Sequence, residues 1–207
     1  MEIFITNIMN QFGYWGMLFL IFIENIFPPI PSEIILPLGG FVTTLEKSKV
    51  TVFGLIIFAT LGSIFGAFIL YWIGTLLNVN KLETWLEKKW IKRLGFKKNE
   101  VEKTVKFFEK WEGVAVFFGR CVPIVRSLIS IPAGMVKMNL LKFTLYTAFG
   151  SLIWNTLLIS AGAFLGENWR NVVTLVDEYK NIVLIILSAV TIILIWRYFK
   201  KRNSTNK

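Results

Sequence analysis

Two arginines six residues apart, Arg120 and Arg126, sit in a stretch that is otherwise apolar: FFGRCVPIVRSLISIPAG, from Phe117 to Gly134. An arginine at bilayer depth costs roughly 2.5–3.5 kcal/mol on insertion scales. Two in one segment therefore call for negative partners, supplied by the protein or by a ligand. A guanidinium keeps its charge at every relevant pH and grips phosphate oxygens in a bidentate fork. Earlier in the chain, ENIFPPIPSEIILPLGG (Glu24 to Gly40) carries the opposite charge on Glu24 and Glu33. These carboxylates either neutralise the arginines or carry protons. With no histidine in the chain, a carboxylate is the residue type best suited to move a proton inside a membrane. The plainer reading is a structural Arg–Glu pair, with Glu33 placed by the dipole of a short helix starting after Pro31–Ser32, a term worth only ~0.3–1 kcal/mol.

Bringing such residues together requires a broken backbone. All six prolines (Pro28, Pro29, Pro31, Pro37, Pro123 and Pro132) fall in these two stretches. Proline removes a backbone donor and disfavours helix at the preceding residue. A break at Pro123 lets Arg120 and Arg126 converge on one cavity, where a continuous helix would separate them by more than a turn. Gly39, Gly40, Gly119 and Gly134 permit close backbone approach. Ser32 and Ser127 flank the charges, and Trp154 and Asn155 fall mid-span in a later apolar run; all four are candidate cavity contacts.

The elements follow from hydropathy. The chain has 207 residues, 55% hydrophobic, with mean hydropathy +0.60. The uncharged runs 51–77 and 143–166 exceed the ~18–20 residues that span hydrocarbon, and 182–199 makes a third span with basic flanks at Lys180, Arg197 and Lys200. The alternation of a β-barrel is absent. The sequence therefore predicts an all-α polytopic membrane protein of one domain. Residues 1–11 form an interfacial amphipathic helix or the start of the first hydrophobic helix, and they do not read as a cleaved signal. Residues 12–42 form a first re-entrant segment and 113–137 a second. Between spans, 81–110 holds ten Lys/Arg against five Glu and reads as a basic cytoplasmic loop. Its amphipathic helix opens at an Asn99–Glu102 capping box and aligns Val101, Val105 and Phe108. The step Gly62–Gly66 permits helix contact.

Several chemistries are excluded. One cysteine and no histidine leave no intrachain disulfide, no Cys/His metal site and no Ser–His hydrolase; Cys121 reads as a small buried hydrophobe, and no cofactor is expected. The net charge of +10 lies beside the spans, so it indicates positive-inside sorting and anionic lipid rather than nucleic acid. Placing both the 81–110 loop and the basic tail in the cytoplasm makes the first re-entrant segment open from outside and the second from inside. The result is two inverted-topology repeats, each a broken helix pair plus a transmembrane helix, followed by a C-terminal transmembrane helix.

The strings ENIFPPIPSEIILPLGG, GSIFGAFILYWIG (Gly62–Gly74), FFGRCVPIVRSLISIPAG and GSLIWNTLLISAGAFLG (Gly150–Gly166) resemble the DedA family, the bacterial branch of the VTT (SNARE-associated) membrane proteins. The resemblance covers roughly residues 12–166, and G-R-x-x-P-x-x-R…P-A-G is its most specific element. It implies a multi-pass protein of the bacterial cytoplasmic membrane, not an enzyme, that flips undecaprenyl phosphate. Arg120 and Arg126 would take the phosphate, and Glu24 and Glu33 would bind protons or hold the arginines when the site is empty. Family members often carry an acidic residue after the second glycine of the Gly62–Gly66 step; Ala67 stands there in this chain, which removes any proton coupling that needs that position. Two rivals remain. One is a transporter of a phosphatidylethanolamine-type phospholipid or of a small ion exchanged for protons. The other is a scaffold or a lipid-modifying enzyme using Ser32, Ser127 or Ser130 near Glu33. Replacing Arg126 with alanine is expected to abolish transport while the fold persists.

Overall fold

The computed structural model describes residues 2–27, 32–46, 48–77, 98–123 and 125–204, with all side chains there except those of 98–107, 109, 187 and 190–204. The described residues form helices joined by turns: α1 (Glu2–Phe12), α2 (Tyr14–Ile26), α3 (Ser32–Val42), α4 (Val52–Leu76), α5 (Lys98–Arg120), α6 (Val125–Leu128), α7 (Ser130–Met135), α8 (Leu140–Leu165) and α9 (Arg170–Ser204). Gly13 separates α1 from α2 with φ +56°, a left-handed conformation that glycine adopts without steric cost.

Two helices, Val52–Leu76 and Leu140–Asn168 including the 3₁₀ turn after α8, are long and apolar enough to cross a membrane. Both start at a side-chain cap. Thr51 accepts from the Gly54 amide at 3.2 Å, and Asn139 accepts from Leu141 and Lys142 at 3.0 and 3.2 Å. The outward stripe of α4 is Phe53, Ile57, Leu61, Phe65, Trp72 and Leu76, all exposed, while Gly62, Ser63, Gly66, Ala67 and Gly74 face inward and are buried. A core helix of a soluble protein shows the reverse pattern. Large apolar groups outside and small residues inside suit a lipid surround with close helix contact.

The spans α4 and α8 run antiparallel. Phe143, near the start of α8, lies against Tyr71 near the end of α4 (ring centroids 4.8 Å apart), and Asn155 halfway along α8 donates to Thr60 at 3.2 Å. The shorter helices pack in exchange: α2 lies along α4 and α5 along α8, whereas α3 packs on α8 and α7 on α4. Paired glycines close both exchanged contacts. A Cβ on Gly40 would strike the Ile159 carbonyl, and one on Gly162 the Pro37 carbonyl; on the other side Gly134 meets the Tyr71 carbonyl and Gly74 that of Ile131.

The structure differs from the sequence reading at particular points. Pro37 lies inside α3 and does not end it. It forgoes one bond, to the Glu33 carbonyl, while Gly162 lets α8 pack directly on its backbone. Pro132 is the third residue of α7, where no helical donor is needed, and Pro123 occupies the turn between α5 and α6. Gly40 and Gly134 make the expected close backbone approach, whereas Gly39 faces the Met17 side chain. Helix α5 runs unbroken past Gly113, so the first limb of the second broken segment and the amphipathic helix before it are one element, and Asn99 lies within that helix rather than before it. Pro28, Pro29, Pro31, the loop residues 81–97 and the last three residues of the tail lie outside the described residues, as do the side chains of Val101, Val105, Arg197 and Lys200. The expected span 182–199 falls within α9.

Candidate functional site

The charged residues meet where the short helices end. Helix α2 delivers Glu24 and Asn25 on its last turn, and α3 begins with Ser32 and Glu33. Helix α5 ends at Arg120, the Pro123 turn reverses the chain, and α6 and α7 present Arg126, Ser127 and Ser130. All of these side chains are buried; Arg120 retains 2% of its surface, Glu24 and Arg126 5% each.

Arg126 and Glu24 form a buried ion pair. Arg120 has no carboxylate partner among the described residues. Its Nη1 donates to Asn25 Oδ1 at 3.1 Å and its Nη2 to Ser130 Oγ at 2.7 Å, while its Nε–H has no partner. Asn25 is held by donating back to the Ile21 carbonyl at 3.2 Å. Arg120 is repelled by Arg126 and attracted by Glu24. Glu33 is close enough to Glu24 for their charges to repel, and it makes no ion pair among the described residues.

Polar groups continue along one face of α8. Thr147, Ser151 and Asn155 recur every fourth residue, all buried, and Asn155 reaches Thr60 of α4. Among the described residues, five buried side-chain atoms lack a hydrogen-bond partner: Arg120 Nε, Trp154 Nε1, Ser32 Oγ, Thr147 Oγ1 and Asn155 Oδ1. An unpaired polar group in a dry interior costs on the order of 1–3 kcal/mol. Four of the five are donors or hydroxyls.

The sequence-derived candidates are thus distributed unevenly. Glu24, Arg120, Arg126 and Glu33 share one buried cluster with Ser32 and Ser127 beside them. Trp154 and Asn155 lie on the inner face of α8, and Asn155 spends its amide on Thr60. Gly119 packs on Ile129, and Gly39 on Met17 and Met9. Sequence reasoning missed Asn25 and the Thr147–Ser151 steps, and it weighed Ser130 only as a nucleophile. The four-residue recurrence of polar side chains in an apolar span was the available signal. Neither described cavity lies at this cluster: one is an apolar groove between α1 and α2 at Phe12 and Trp15, the other lies between α5 and α8 at Lys110 and Lys142.

The VTT domain family matches residues 30–164. A Lactococcus lactis protein named "Alkaline phosphatase-like protein" is 48% identical over 98% of this chain and 94% of its own length. A Staphylococcus aureus protein named "Undecaprenyl phosphate transporter A" is 35% identical over 98% of both chains. The Escherichia coli protein named "Protein DedA" is 29% identical over 80% of this chain and 75% of its own. No solved structure matches the chain. A domain match across most of the sequence, and similarity that runs nearly end to end, fix the lineage of this buried arginine cluster: the chain belongs to the VTT-domain family, the DedA family of membrane proteins.

Proposed function

We propose that this chain is a lipid-phosphate transporter that flips undecaprenyl phosphate between leaflets, with Arg120 as the partner of the phosphate at mid-membrane. The observation that carries this reading is the state of Arg120: a buried cation whose partners are two neutral side chains and whose Nε–H is unpaired. A buried charge without a counter-charge is costly, and a phosphate oxygen on Nε and Nη would complete the fork. The name of the Staphylococcus aureus relative, similar over nearly the whole chain, supports the same substrate. The prenyl chain stays in lipid throughout, so the protein need enclose only the headgroup.

In this reading Arg126 is the fixed counter-ion of Glu24, and Glu33 is the coupling carboxylate. Two negative charges share a dry site only at high cost, so a proton on Glu33 would accompany the incoming phosphate. Helices α2 and α3, with 13 and 11 residues, rise about 20 and 16 Å, short of the ~30 Å hydrocarbon core. That shortfall supports re-entrant limbs. The antiparallel α4 and α8 and the exchanged packing of α3 and α7 support two inverted repeats rocking about the charged cluster. The cytoplasmic side is assigned to the basic loop and tail, and the membrane to the bacterial cytoplasmic membrane.

Phosphomonoester hydrolysis is a second reading, favoured by the name of the Lactococcus lactis relative and by Ser130 lying against Arg120. It has no histidine to serve as base, and Glu24 is committed to Arg126, so it would have to rely on Glu33. In proteoliposomes, Arg120→Gln should reduce undecaprenyl phosphate flipping by about a hundredfold, in line with the ~2–5 kcal/mol lost when a buried charge loses its partner. Retained flipping would remove Arg120 from the site, preferential flipping of phosphatidylethanolamine would reassign the substrate, and release of inorganic phosphate would make the protein an enzyme.

A further inference from the structure

On α5 the last charge before the apolar run Val114–Phe118 is Glu112, and on α8 the last charge before the uncharged run to Gly166 is Lys142. These two boundaries lie side by side. Gly113 has no Cβ, and the Tyr146 ring occupies that place. Beside this contact is a cavity of about 560 Å³. Its lining passes from Lys110, Glu112 and Lys142 to Val114, Leu145 and Phe149 in the direction of the spans. Trp111 and Tyr146 also line it, and the Lys110 ammonium stands over the Trp111 ring at 5.9 Å. Trp and Tyr at the level where charge gives way to hydrocarbon mark the headgroup region of a bilayer. Ten helical residues separate Lys110 from Arg120, a rise of about 15 Å and half the ~30 Å hydrocarbon thickness. The cavity is therefore at headgroup level when Arg120 is at the midplane, and none of the buried charges lines it.

We infer that this cleft is a resident lipid site that holds one anionic phosphodiester glycerolipid of the adjoining leaflet. Its phosphate lies between Lys110 and Lys142, one acyl chain follows Val114, Leu145 and Phe149, and Glu112 accepts from a headgroup hydroxyl. Charge selects this class of lipid. Among the described lining residues two ammoniums and one carboxylate leave a net charge of +1, which a singly charged phosphodiester neutralises. A doubly charged phosphomonoester would overshoot, and a zwitterionic lipid would leave the site cationic. The site rests on the chain spanning the bilayer with Arg120 near its midplane, and not on what Arg120 binds.

The test is native mass spectrometry of the full chain released from nanodiscs of equal phosphatidylglycerol and phosphatidylcholine. Wild type should retain phosphatidylglycerol in preference to phosphatidylcholine. In Lys110→Gln/Lys142→Gln retention should fall about thirtyfold, each lysine near a lipid surface contributing about fivefold. The pair Lys110→Arg/Lys142→Arg should restore it, Arg120→Gln should leave it unchanged, and equimolar polyprenyl phosphate should not displace it. Equal retention of the two lipids by wild type, undiminished retention in the glutamine variant, loss in Arg120→Gln, or displacement by polyprenyl phosphate would each overturn the assignment.

Discussion

Arg120 and Arg126 are chemically identical and differently employed. Arg126 is paired with Glu24, so removing either partner strands a buried charge, at a cost of about 3–5 kcal/mol. Arg126→Ala should therefore unfold or fail to accumulate, contrary to what the sequence alone suggests. The double variant Glu24→Gln/Arg126→Gln should regain most of the lost stability, because neutral amides replace both ends of the pair. A thermal-unfolding cycle of the two single variants and the double measures this; additive losses would show that the pair does not act as a unit. Legibility at this scale was partial. Arginines in an apolar run announce themselves through their desolvation cost. Which one takes the carboxylate depends on how the Pro123 turn redirects the chain, and residue spacing does not encode that. Asn25 stayed hidden, and Ser130 was weighed only as a nucleophile, because neutral polar side chains are ordinary in membrane helices.

The helices meet at glycines, and their tolerance differs by what stands opposite. A Cβ on Gly40 would enter the Ile159 carbonyl and the Ala163 amide, fixed backbone of α8. A Cβ on Gly39 would meet only the flexible ends of the Met17 and Met9 side chains. Gly40→Ala and Gly134→Ala should each lose about 1–3 kcal/mol as α3 and α7 are forced off their spans, while Gly39→Ala should lose less. Chemical unfolding of the three variants in detergent tests the ranking, and a Gly39 variant as damaged as the other two would contradict it. The apolar runs made α4 and α8 readable in advance, since length and hydropathy alone define such spans. The unbroken α5 was not readable. Gly113 looks like a breaker, but one glycine costs a helix only ~1 kcal/mol, and its real use is to admit the Tyr146 ring.

Across the whole molecule, the antiparallel spans dictate sidedness. The turn at Glu46 precedes α4, and Glu167 follows α8 next to Trp169, which packs into the same core as Val42 and Val50. Lys137 lies at the other end, where Tyr71 near the close of α4 donates to the Met138 carbonyl at 2.6 Å. In a Cys121→Ser background, Glu46→Cys and Glu167→Cys should react with an impermeant thiol reagent from one face, and Lys137→Cys from the opposite face. Labelling of all three from one face would undo the inverted arrangement. The repeat plan was suggested by proline and glycine spacing and by the placement of basic residues; the exchanged packing of α3 and α7 was beyond the sequence, because it depends on contacts between residues far apart in the chain, such as Pro37 with Gly162 and Tyr71 with Gly134.

The central claim is that a lipid phosphate completes the unfilled hydrogen-bonding fork of Arg120. Solid-state NMR dipolar recoupling between the phosphorus of bound undecaprenyl phosphate and ¹⁵N-labelled arginine measures this directly, with Arg120→Lys identifying the signal. The predicted result is a guanidinium nitrogen within about 4 Å of phosphorus, with that coupling abolished by the lysine substitution. Bound, transported lipid whose phosphorus shows no coupling to Arg120 would contradict the account.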